Sequence, residues 1–144
     1  MKRTITRGFI IAAAVLLAVL GLSVGPAQAG SPHFIKSATT ITRTGDDLTV
    51  AGKIAGLGSE TAVFISVSAD AQCVNNGGNK PRAGNKQSFS VDGYFPVQNG
   101  KAIFSLTLVA SFSPDCSPPM TVQWSNVVLT DPEHDLTLKF PGTF

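Results

Sequence analysis

His134, within Asp131-Pro132-Glu133-His134-Asp135, is the one imidazole of this chain set among carboxylates. A hydrolase needs a nucleophile, a base and an acid that orients the base. Here His134 would be the base and Asp131 or Asp135 its partner, in a small extracellular hydrolase or a metal-dependent enzyme. The same segment offers Asp131, Glu133 and Asp135 at alternate positions, which in extended backbone share one face and could present hard oxygen ligands to calcium. The rest of each constellation is missing. His33 lies close to the start of the exported part, and Gly56-Leu57-Gly58-Ser59-Glu60 does not match the G-x-S-x-G nucleophile elbow. No glycine and distal glutamate follow Asp131 as a calcium loop requires. The expectation is a protein that is not an enzyme and holds no metal or cofactor, with the His134 enzyme as the alternative.

The most distinctive segment runs from Gln72 to Lys86, fifteen residues with four asparagines and three glycines. Such composition supplies positions that tolerate positive φ and amides that both donate and accept hydrogen bonds. Lys80, Arg82 and Lys86 add cations. A connection this long in a small domain is either a binding loop or a tolerated crossover. As a binding loop it would present Asn75, Asn76, Asn79, Lys80, Arg82 and Asn85 to a glycan, a small anion or a protein. The run Cys73-Val74-Asn75-Asn76-Gly77-Gly78-Asn79, with Pro81 and Asn85-Lys86, resembles small secreted β-domain proteins of unknown function from actinobacteria. Asn99-Gly100-Lys101 and Cys116-Ser117-Pro118 are similar to the same group. The resemblance implies a compartment and a domain type, and no activity.

Cys73 and Cys116 are the only cysteines. Outside the cytosol an even count reads as a disulfide, and neither cysteine has the spacing of a metal or redox motif. Their bond would pin the 72–86 loop to the segment Ser111–Cys116.

Alternation with period two recurs from Ser37 onward, and no stretch after the leader carries a helical period. Ser37–Arg43 and Leu48–Ile54 flank a turn that, with Gly45-Asp46 as its loop, sets Ile41 opposite Val50. Ala62–Ala69 places Val63, Ile65 and Val67 on one face. Asn99-Gly100 predicts a type I′ hairpin in which Val97 faces Ala102, Phe95 faces Phe104, Gly93 faces Leu106 and Val91 faces Leu108. On its other face Tyr94 and Pro96 would meet Ser105 and Ile103 as a small contact patch. Thr121–Leu129, with Trp124 in phase with Val122 and Val128, and Leu136–Phe140 complete about seven strands. This spacing predicts an all-β domain, an antiparallel β-sandwich with immunoglobulin-like topology as the leading guess and a small closed barrel as the alternative. Trp124 follows both cysteines, unlike the antibody pattern.

Residues 1–29 read as a helical export leader: cations at Lys2, Arg3 and Arg7, an apolar run from Phe9 to Leu22, and Ala27-Gln28-Ala29 as a cleavage site. Cleavage after Ala29 would release a domain of residues 30–144, secreted and extracellular, with no membrane attachment. The net charge of +2 for the whole chain becomes −1 once the three leader cations are removed. A near-neutral domain with scattered cations is a poor polyanion binder, so nucleic acid is excluded as a partner. The expected function is a non-enzymatic binding module for an extracellular or envelope ligand, glycan or protein. A self-associating envelope or coat protein is a further alternative.

Overall fold

The computed structural model describes residues 30–75 and 85–144. It is an all-β sandwich of two antiparallel sheets. The strands are β1 (His33–Phe34), β2 (Thr40–Thr44), β3 (Asp47–Ala55), β4 (Ala62–Val74), β5 (Lys86–Pro96), β6 (Lys101–Leu108), β7 (Thr121–Asp131) and β8 (Leu136–Thr143). In the first sheet β3 is central, with β6 along one edge and β2 and the short β1 sharing the other. The second sheet has the order β5-β4-β7-β8. The leader expected at residues 1–29 lies outside the described residues. Among the described residues no helix is long and apolar enough to cross a membrane.

Side-chain alternation builds the core. β4 runs for thirteen residues, with Val63, Ile65, Val67, Ala69, Ala71 and Cys73 inward and Phe64, Ser66, Ser68 and Asp70 outward. Leu48, Val50 and Ile54 of β3 and Phe104, Leu106 and Leu108 of β6 face them from the first sheet. Trp124 is fully buried and donates its indole N–H to the Asp46 carbonyl at 2.9 Å, so the largest side chain loses no hydrogen bond on burial. The β2–β3 hairpin has the expected register, with Ile41 paired to Val50 and a positive φ at Gly45.

Three expectations need correction. The Asn99-Gly100 turn forms, with φ of 53° and 70° and reciprocal backbone bonds between Gln98 and Lys101, but its strands do not pair beyond it. β5 pairs with β4, placing Phe95 beside Val63, and β6 pairs with β3, placing Leu106 beside Val50. The expected partners still meet, across the sandwich interior: the Phe95 and Phe104 rings are 6.1 Å apart at 63°, and a β-carbon on Gly93 would lie 3.8 Å from Leu106. Both arrangements bury the same side chains. β5 and β6 face each other with their side chains, while their backbone groups bond within the sheets to β4 and β3. Tyr94 accordingly lies on the outer face of the second sheet against Phe64, at 5.0 Å, and not beside Ser105.

The second correction concerns β7. Trp124 shares its inward phase with Val122, but Val128 does not. Asn126, at φ 52°, adds a residue between the pairs Asp70–Ser125 and Ser68–Val128. This bulge reverses the alternation, so Val127, Leu129 and Asp131 point inward. Thirdly, the 72–86 segment is not all loop, because β4 continues to Val74 and β5 begins at Lys86.

Candidate functional site

The connections 56–61, 97–100 and 132–135 close one end of the sandwich, and Asn75, Asn85 and the 109–120 connection lie at the other. At the first end, Asp131 is the last residue of β7, and the Asn126 bulge has turned it inward. It is the one fully buried charged residue among the described residues. One carboxylate oxygen accepts the backbone N–H groups of Glu133 (3.1 Å) and His134 (3.2 Å), which folds the turn back on itself. The other lies 2.6 Å from His134 Nδ1. His134 Nε2 is 2.8 Å from Glu60 Oε1, carried by the 56–61 loop. Glu133 Oε2 accepts the Phe64 N–H at 3.3 Å. The turn is thus bound to the neighbouring connection and to the start of β4.

Local backbone holds Glu60 in place. Leu57 is fully buried beneath its loop, and its N–H bonds to the Gly100 carbonyl at 3.0 Å. Gly56, at φ 81°, has no room for a side chain, since a β-carbon would collide with the Ser31 carbonyl.

Both imidazole nitrogens face carboxylates, which accept and cannot donate, so the doubly protonated ring fits the geometry. Burial disfavours that charged ring, but the hydrogen bonds it donates to Asp131 and then Glu60 outweigh it and raise the His134 pKa above its ordinary 6.5. The stability contributed by these contacts is therefore fully present below about pH 6.5 and is lost as pH rises through the folded-state value. Thermal melting between about pH 5 and pH 9 should show wild-type stability declining over that upper window. The decline should be absent in His134→Gln, and a parallel profile in that variant would contradict the assignment.

The geometry around His134 is not that of the alternative enzyme and calcium arrangements. Where a nucleophile would sit against Nε2, Glu60 sits instead. Asp135 is exposed with a positive φ of 55°, and does not join Asp131 and His134. Asp131, Glu133 and Asp135 do not converge, and among the described residues no group of three metal-ligating side chains is placed to hold an ion. His33 is ordered by pairing with Ala55, and its Nδ1 donates to the Ser31 carbonyl at 2.8 Å.

At the opposite end Cys73, buried on β4, is disulfide-bonded to Cys116 with Cα atoms 5.7 Å apart. The bond joins the foot of the 75–85 connection to the 109–120 connection. Phe112 anchors the latter, its ring 6.1 Å from Phe89, which itself packs on Trp124 at 5.5 Å. Asn75 is exposed just beyond β4, and Asn85 is half-buried just before β5. Asn76, Asn79, Lys80 and Arg82 lie outside the described residues.

No family model, curated protein or solved structure matches the chain.

Three residues before Cys73, Asp70 on the outer face of β4 accepts Ser88 Oγ at 2.6 Å, Asn126 Nδ2 at 2.8 Å and Lys86 Nζ at 3.2 Å. The Ser88 hydrogen bond, then that of Asn126, hold its carboxyl below the ordinary range against the opposing effect of burial, and Lys86 adds to this. Lys86 is thus engaged by this acid. Sequence reasoning passed over Asp70, Asn126 and Glu60. Asp70 occupies an outward position of the β4 alternation, but nothing local marks Glu60 as the partner of a histidine 74 residues away.

Proposed function

We propose that this protein is a secreted, non-catalytic recognition module that presents its ligand surface on the 75–85 connection. The observation that carries this reading is the Cys73–Cys116 bond, which cross-links the foot of that connection to the other long one. A surface prepaid in conformational entropy binds with less ordering cost. A disulfide in so small a β-domain also suits an oxidising, extracellular setting. The strand order supports an immunoglobulin-like assignment: β2-β3-β6 correspond to an A-B-E sheet, and β5-β4-β7-β8 to a C′-C-F-G sheet. The resemblance of the Cys73–Asn79 run to small secreted actinobacterial domains favours the same compartment. The non-catalytic reading is supported by His134, whose two ring nitrogens both face carboxylates and neither of which faces a nucleophile.

The test is a glycan and envelope-polymer binding screen on the domain of residues 30–144. A variant with Asn75, Asn76 and Asn79 changed to serine is screened beside it. Binding by the parent that is lost in the variant, with an unchanged melting temperature, is the expected result. Equal binding by both would remove the loop from the site, and turnover lost in His134→Gln would overturn the non-catalytic reading.

A further inference from the structure

The geometry points to a second, separate binding site: a subsite for a carboxylate-bearing sugar beside the Asn99-Gly100 turn. A cavity of about 370 Å³ opens there, lined by Lys53, Pro96, Gln98, Asn99, Lys101 and Ile103. That volume lies near the lower end of small-ligand pockets and suits one sugar unit with its water. Lys53 is paired with Ile103, and Ala55 with Lys101, so the two lysines are diagonal neighbours on the outer face of the first sheet. Farther along this face the side chains next to the lysines are neutral, such as Thr49 and Thr107, whose hydroxyls bond each other at 2.8 Å, and Asp47 lies at the far end of β3. Ile103 stands between the lysines and is 71% exposed.

Two like charges on adjacent strands repel, and nothing here neutralises them. All nine acidic residues of the chain lie among the described residues, yet neither Lys53 nor Lys101 has one within ion-pair distance. Lys53 is moreover half-buried. An anion in the cavity would supply the missing counter-charge. The remaining walls identify its kind. Gln98 and Asn99 side chains can donate to and accept from hydroxyls, while Pro96 and Ile103 offer apolar surface for the C–H face of a ring. Charge, hydroxyls and an apolar ring face occur together in a uronic acid. A bare phosphate would leave the apolar wall unused, and a nucleic acid would need many more cations. The site lies at the opposite end of the sandwich from the disulfide, so it can fail or stand independently of the loop.

The experiment is an amide-resolved NMR titration of the disulfide-intact domain with sodium glucuronate, with glucose and inorganic phosphate as comparisons at matched ionic strength. Glucuronate should shift Asn99, Gly100 and Lys101 saturably, with a Kd on the order of millimolar. Glucose and phosphate should bind more weakly. Lys53→Ser and Lys101→Ser should each weaken glucuronate about tenfold, and Lys139→Ser should leave it unchanged. All three substitutions lie on solvent-facing positions, and a melting curve for each checks the fold. No saturable shift at the turn, equal binding of phosphate, or unchanged affinity in both lysine variants would overturn the proposal.

Discussion

Asp131→Ala should lower the stability of the domain by about 3–5 kcal/mol, read from denaturant unfolding near neutral pH. The side chain is wholly buried, and each of its oxygens is used: one holds two backbone N–H groups of the 132–135 turn, and the other holds His134. Removing it leaves two backbone donors without an acceptor and His134 with only Glu60 opposite its ring. Asp131→Asn keeps the volume and the acceptor facing the turn but loses the charge opposite His134, so it should cost less. The coupling to His134 is measurable in a double-mutant cycle with His134→Gln. Strictly additive losses would show that the contact contributes nothing of its own, and an Asp131→Ala loss under about 1 kcal/mol would remove it as an organising residue.

Breaking the disulfide should have an effect of similar size. Cys73 and Cys116 are 43 residues apart in sequence, and closing a loop of that length disfavours the unfolded chain by about 4 kcal/mol in the chain-entropy model. For a domain this small such a loss lowers the melting temperature by on the order of 15 °C. The native protein should show no reactive thiol without reductant. Cys116→Ser should cost somewhat less than Cys73→Ser, because Cys73 lies in the buried row of β4 while Cys116 is half-exposed in a connection. Melting unchanged by reductant would mean that the two connections hold their places without the bond.

These two effects differ in how visible their causes are in the residues. The cysteine pair was legible from count and compartment, because only one intramolecular bond is available to two cysteines. Asp131 was legible as a charged residue in a turn, but as a partner for calcium or a catalytic base, not as a buried anchor. Its burial depends on Asn126, whose positive φ inserts one extra residue into β7. An asparagine tolerates that conformation without demanding it, so the alternation of Trp124 and Val128 looked unbroken. Glu60 was invisible for another reason: its contact with His134 exists only because two connections close the same end of the sandwich. Of the six candidate loop residues only Asn75 and Asn85 are described. There the finding is a shortening, since Gln72, Cys73 and Val74 extend β4.

Local chemistry in the sequence was sufficient for the all-β class, the disulfide, the Gly45-Asp46 hairpin with its Ile41–Val50 register, and the Asn99-Gly100 turn. Each follows from a period of two, a positive φ or a bond between two particular side chains. The tertiary structure alone decided which sheet each strand joined. Phe95 and Phe104 are in contact whether β5 and β6 pair as a hairpin or face each other across the core, so their apolar pattern is silent on the choice. The choice was made by competition for backbone hydrogen bonds, in which β4 matched β5 from Gln72–Lys86 to Ala62–Pro96 and β3 matched β6 from Leu48–Leu108 to Ala55–Lys101. That competition also set Lys53 beside Ile103 and left two lysines around a cavity, a juxtaposition of residues almost 50 positions apart that no local pattern records.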